Sequence, residues 1–253
     1  MKIIIIVSIF LFFLPFAGCQ KDTVAPEITV TEDDAADVIG IALASNSRGM
    51  ISQFGIGSEI IDSGKFPAFH KAAIVPIETT VTRQGSFGGY SYQYTARYRY
   101  EFSLLNDSLN FQYWLKGAYS TPRISADDSA WSDMKITRLG NDSCRINGTY
   151  NRIGSHALKI RDQKQFHISV TAVLSNIIYN QTEQRAVYGS MTLMVSGESS
   201  TGTAFAYSGV LSVYGNLPAS LILEDRLYEV DLSTGIATFI PDDDDGDDDD
   251  DGL

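Results

Sequence analysis

The chain has 253 residues, 44% of them hydrophobic, which is enough for one substantial domain or two small ones. Its formal net charge of −12 is concentrated in nine aspartates at positions 242–245 and 247–251, leaving −3 for the rest. A near-neutral body without a basic patch argues against nucleic acid as a partner.

Lys2 gives the N-terminus a positive charge, and residues 3–14 form an uncharged apolar run. A bilayer span needs about 20 such residues, so this run fits the apolar part of a cleaved signal instead. Phe16, Ala17 and Gly18 then lead to Cys19. The segment resembles a bacterial lipoprotein signal peptide, although Phe16 stands where an aliphatic residue is commoner. The resemblance implies removal of residues 1–18, acylation of Cys19 and stable attachment by two or more chains. Gln20-Lys21-Asp22 resembles the signal that sends Bacteroidota lipoproteins to the outer cell surface. The expected location is therefore the cell envelope, lipid-anchored in the outer membrane and facing outward. An ordinary secreted protein cut near Gly18 is the alternative. Only two cysteines occur, so with Cys19 acylated Cys144 has no intramolecular partner. The fold must stand on its core rather than on disulfides.

Residues 19–31 read as a linker after the lipidated cysteine. A helix is expected from residue 32, with Thr31 as its cap and Asp34 completing a capping box. Glu32, Asp33, Asp34 and Asp37 place negative charge near the positive end of the helix dipole. Val38, Ile39, Ala42 and Leu43 recur at helical spacing and make one apolar face. Asn46-Ser47-Arg48-Gly49 breaks the helix, and Met50, Ile51, Phe54, Ile60 and Ile61 continue in a second, less regular piece.

From Ile77 onward the period changes to two. Tyr90, Tyr92, Tyr94, Ala96, Tyr98, Tyr100 and Phe102 share one parity, opposite Ser91, Gln93, Thr95, Arg97, Arg99 and Glu101. This is a long strand with one buried and one wet face. The pattern returns at Phe166, Ile168, Val170, Ala172 and Leu174, and again at Phe205, Tyr207, Leu211 and Val213. Turn chemistry separates the runs at Asn106-Asp107, Asn141-Asp142, Asn180-Gln181, Gly197 to Gly202 and Gly215-Asn216. Short polar turns between consecutive strands imply an antiparallel meander. The expected fold is mainly β: a curved antiparallel sheet, open or barrel-like, with the 32–62 helical segment packed on its concave face. Residues 32–240 form this single domain, and residues 241–253 a disordered acidic tail.

The three histidines, His70, His156 and His167, form no metal-binding spacing, and His167 lies on the wet parity of its strand. No nucleophile elbow, Walker loop or dinucleotide motif occurs. Cys144, in Ser143-Cys144-Arg145-Ile146, reads as a structural strand residue, although Arg145 could lower its pKa. No catalytic residues and no cofactor are therefore expected. The tyrosine ladder reads first as a core-facing strand and second as a sugar-stacking platform. Asp247, Asp249 and Asp251 match half of a calcium loop whose twelfth-position glutamate is absent, so weak divalent-cation association is the expectation there. Asp22-Thr23-Val24, Asp107-Ser108-Leu109 and Asp128-Ser129-Ala130 resemble a Bacteroidota O-glycosylation pattern, the last two in expected turns.

A glycine-marked strand at 209–215, a further strand at 219–223 and Tyr228-Glu229-Val230-Asp231-Leu232-Ser233-Thr234-Gly235 close the sequence before the tail. Together with the capped helix after the lipobox, they resemble a group of uncharacterised Bacteroidota surface lipoproteins with a terminal Tyr-x-x-Asp-Leu-x-Thr-Gly hairpin. Asp225-Arg226 stands where that group often has Asn-Gly at a turn. The resemblance implies organisation and location and brings no activity. The first expectation is a non-enzymatic, membrane-tethered binding or structural domain, with an envelope protein, a glycan or an apolar ligand as partner. The second is a carrier of an apolar ligand, which calls for a pocket of some hundreds of Å³ lined by Tyr90, Tyr94, Tyr98 and Phe102. The third is a hydrolase with paired buried acids.

Overall fold

The computed structural model describes residues 28–62, 76–103, 107–140, 142–160, 162–215 and 218–241. The lipobox with Cys19, the tail with Asp247, Asp249 and Asp251, His70 and the triplet at Asp22 lie outside the described residues. Two helices, α1 (Glu32–Leu43) and α2 (Met50–Asp62), precede the sheet. Its strands are β1 (Ile77–Phe87), β2 (Tyr90–Ser103), β3 (Ser108–Ser120), β4 (Ile124–Gly140), β5 (Ser143–Leu158) and β6 (Gln165–Asn180). They continue as β7 (Arg185–Ser199), β8 (Ala204–Tyr214), β9 (Ala219–Leu223), β10 (Arg226–Val230) and β11 (Ala237–Ile240). All are antiparallel and lie in chain order in one 11-stranded sheet. β1 and β11 are its two edges, so the meander is open rather than a closed barrel.

Strand alternation decides what the sheet covers. The Phe166–Leu174 parity of β6 is buried, and His167 opposite is exposed. Cys144 is likewise buried on β5, a free thiol pushed up to about 12 by burial. On β2 the aromatic parity faces inward as expected, but Tyr92, Tyr94, Tyr98 and Tyr100 are only half-buried against the core, whereas Ala96 and Phe102 are fully buried. The pairing register slips between β5 and β6 at Gly148, whose φ of +147° favours glycine and whose added Cβ would meet the Asp133 carbonyl at 2.1 Å.

Thr31 caps α1 as its sequence predicts. Its hydroxyl accepts from the Asp34 amide, and the Asp34 carboxylate accepts from the Thr31 amide at 3.1 Å. The helix is buried on more than one face, which its acidic start did not signal. Asp34 and Asp37 are themselves buried, and each faces a cation from the sheet connections: Lys164 at 2.7 Å and Arg123 at 2.7 Å. α1 lies against β9, β10 and β11, and α2 against β3, β4, β5 and β7. Met50, Ile51, Phe54 and Ile61 of α2 are buried, and Ile60 is half-buried.

Some local expectations change. Gly197, Glu198 and Ser199 are strand residues of β7, and the loop after them is confined to residues 200–203. The hairpin between β9 and β10 turns at Glu224-Asp225, with Glu224 at φ +50° and Arg226 already in strand. Asp128-Ser129-Ala130 is not a turn but the middle of β4, and Ser108 is a buried residue of β3. Neither serine sits in the accessible turn that an acceptor pattern would require.

Candidate functional site

Three places bring chemically active side chains together. The first is interior. Register sets Asp128 on β4 opposite Gly154 on β5, where an added Cβ would meet the Asp128 Cβ at 2.3 Å. That space lets Arg152 and Asp128 meet in a buried, bidentate pair: Nε donates to Oδ2 at 2.6 Å and Nη2 to Oδ1 at 3.2 Å. The guanidinium stacks 4.5 Å from the Tyr119 ring centre and reaches the Ala42 and Ser47 carbonyls at 3.5 Å. The Tyr150 hydroxyl donates to the same Ala42 carbonyl at 2.8 Å. A cation and a phenol from the sheet thus cap the C-terminal, partly negative end of α1. Burial alone would raise the Asp128 carboxyl, but Arg152 and His156 beside it outweigh that and hold it below the ordinary range. His156 is buried between the Phe166 and Tyr119 rings, and burial lowers its pKa despite Asp128 Oδ2 at 3.5 Å from Nε2. Neither ring nitrogen has a hydrogen bond. The buried carboxylates Asp34, Asp37 and Asp128 each face a cation. The cluster therefore holds helix to sheet, and its acids are set against bases rather than against one another.

The second place is a groove of about 360 Å³ between the α1–α2 turn, α2 and the inner face of the sheet. Phe87 at the end of β1 and Tyr179 at the end of β6 both line it, so the sheet bends around α2. Tyr94 and Tyr113 form more of its aromatic wall, and Ser45, Asn46, Ser52, Glu59 and Gln184 supply polar groups. Arg48 enters from the turn in a left-handed conformation (φ +59°), uncommon for a residue with a side chain. Its guanidinium lies 4.4 Å from the centre of the Tyr92 ring. No carboxylate pairs with it among the described residues, and its buried Nε has no hydrogen-bond partner. Burial raises the Tyr94 and Tyr113 phenols, with Arg48 opposing, and lifts Tyr179 to about 12. Glu59 is exposed at the rim, one turn of α2 beyond Gly55, where an added Cβ would meet the Tyr179 hydroxyl at 3.3 Å. A second groove of about 510 Å³ continues past Ser45, Ile51 and Gln184 toward Val213 and Val230.

The third place lies on the outer face. Register aligns Asp127, Ser155, His167 and Glu198 in one row across β4 to β7, along a trough of about 810 Å³. Ser155 Oγ and His167 Nδ1 are 3.5 Å apart, the outer limit of a hydrogen bond. No ion pair joins His167 to Glu198 among the described residues, and nothing in the row aims donors at a reacting oxygen.

Of the tyrosines expected to line a carrier pocket, only Tyr94 enters the groove. Phe102 belongs to the core, Tyr98 packs on Tyr113, and Tyr90 stacks on Phe87. Arg48, Asp128, Arg152 and His156 were not singled out by sequence reasoning as site residues. Among the described residues no cluster of three or more histidine, cysteine or acidic side chains could hold a metal ion. No described helix is long and apolar enough to cross a membrane, which says nothing of crossing by strands. Compared with known proteins, the chain matches no family model, no curated protein and no solved structure.

Proposed function

We propose that this chain is a lipid-anchored cell-envelope domain that binds a ligand without transforming it, and that the groove beneath α2 is its binding surface. The observation that carries the reading is Arg48: a half-buried cation lining an aromatic groove, with no carboxylate paired to it among the described residues. A charge drawn out of water is ordinarily paired with an opposite one. A ligand seated in the groove supplies that partner. Anchoring through Cys19 is supported by the lipobox pattern alone.

The carrier reading gains from the groove's position between helix and bent sheet. It loses from the polar groups along that groove and from the helices, which fill the inner face with fully buried Val38, Leu43, Phe54 and Ile61. The test is a thermal-shift screen of the full chain against glycans, small acids and fatty acids, repeated on Ser52→Trp, which fills the groove. A ligand that stabilises the parent and not Ser52→Trp supports the reading; hits indifferent to that substitution refute it. For the anchor, a Cys19→Ser variant is expected to leave the membrane fraction.

A further inference from the structure

The lining of this groove narrows the chemistry of what it holds; the argument rests on the binding reading above. Arg48 calls for a negatively charged acceptor, and a guanidinium fits a carboxylate with two parallel hydrogen bonds. The remaining lining is unlike an acyl-chain site. Tyr94, Tyr113 and Tyr179 have no hydrogen-bond partner for their hydroxyls among the described residues, and Asn46 and Gln184 stand beside them, whereas the Ser45 and Ser52 hydroxyls donate to the Ser233 and Gly49 carbonyls. A hydrocarbon chain would desolvate the three phenols, Asn46 and Gln184 without replacing their bonds to water, at a cost for each.

Glu59 adds a constraint of sign. It is an acceptor only. It follows by one turn of α2 the Gly55 whose added Cβ would meet the Tyr179 hydroxyl at 3.3 Å, whereas Arg48 lies 4.4 Å from the Tyr92 ring, itself 5.7 Å from that of Tyr94. The fitting ligand therefore carries an anionic acceptor at one end and hydroxyl donors at the other. A sulfate ion offers the first without the second. The aromatic wall of Phe87, Tyr94, Tyr113 and Tyr179 suits a body with an apolar face, and a volume of about 360 Å³ lies at the small end for ligand pockets. A pyranose ring has C–H groups on its faces and hydroxyls around its edge.

We infer that the groove binds a carboxylate-bearing sugar residue of the uronic acid type, with its carboxylate on Arg48, its ring against the tyrosines and its hydroxyls toward Glu59 and Gln184. The left-handed backbone at Arg48 delivers the guanidinium to this spot.

Calorimetric titration of the full chain with methyl glucuronoside and methyl glucoside tests this, because the pair differs only in oxidation at C6. The expected result is saturable binding of the acidic sugar, roughly tenfold or more tighter than the neutral one. Arg48→Gln should reduce the acidic sugar to the neutral level, and Arg48→Lys should retain part of the preference. Circular dichroism melts check that both variants fold. Equal binding of the two sugars, unchanged preference in Arg48→Gln, or no binding of the acidic sugar overturns the inference. Tighter binding of dodecanoate or inorganic phosphate in the same groove also overturns it, yet leaves the binding reading standing if Ser52→Trp abolishes that binding. Loss of every groove-dependent signal defeats both.

Discussion

The seat of α1 and the groove beside α2 are built from the same residue types and differ in whether their polar groups are used. Where the terminal hairpin meets α1 the polar groups are matched. Tyr228 donates to Asp33 Oδ1 at 2.7 Å, and the Ser45 and Asn46 amides donate to the Leu232 and Ser233 carbonyls at 3.0 Å. The Asp231 carboxylate accepts from the Ser233 amide at 2.7 Å and from the Thr234 hydroxyl at 2.8 Å, closing the turn. Gly235, at φ +78°, lets that turn touch the helix: a Cβ added at Gly40 would lie 2.4 Å from its carbonyl oxygen. Every named position of the Tyr-x-x-Asp-Leu-x-Thr-Gly pattern thus serves to seat α1. A few residues on, Arg48 and three phenols have no such partners. Matched polar groups specify one arrangement, whereas Arg48 and the phenols line a groove with room for another molecule.

The contrast can be broken most strongly in the interior. Arg152→Met leaves Asp128 buried and unpaired, and should lower stability in urea unfolding by about 3–5 kcal/mol. Adding Asp128→Leu should restore most of the loss; an unrestored double variant would mean that capping the Ala42 carbonyl, not the charge pair, is the main contribution. Next in size, Gly40→Ala forces the helix off the terminal hairpin and should cost about 1–3 kcal/mol by overpacking, read from the same unfolding midpoints.

His156 gives a smaller, pH-dependent effect. Its folded pKa lies below the ordinary 6.5, so the unfolded chain binds its proton first as pH falls. Stability contributed by the neutral imidazole is complete above about 6.5 and declines below it, by at most about 1.4 kcal/mol per pH unit. His156→Leu should flatten unfolding midpoints across that window, while the lowered Asp128 acts only in more acidic solution. Smallest of all, Arg48→Gly should stay within about 0.5 kcal/mol of the parent. Relief of the left-handed backbone, about 1 kcal/mol, offsets a lost cation–π contact of similar size. A large loss would place Arg48 among the matched groups and erase the contrast.

Much of the architecture was legible because it depends on local period. Thr31 and Asp34 announced the cap, and the thirteen-residue alternation from Tyr90 announced β2. Asp128 was misread because Asp127-Asp128-Ser129 carries turn chemistry, and the inward parity of β4 is mixed with Ala126, Ala130 and Ser132. What makes its burial tolerable is Arg152, which only strand register brings beside it. Arg48 was read as part of a helix break, which is right locally. That its side chain returns to Tyr92 depends on a sheet curled around α2, a relation no window of sequence contains.

The hairpin that seats α1 has a consequence for the order of events in synthesis. Strands β1 to β9 each pair with a neighbour made just before or after, so the sheet can grow as the chain emerges. Helix α1 cannot be finished in that way: Leu232, Ser233 and Gly235, which complete its berth, are translated nearly two hundred residues later. The first of the described elements to be made is thus locked late, and a ribosome stalled before codon 232 holds a sheet with an unseated helix.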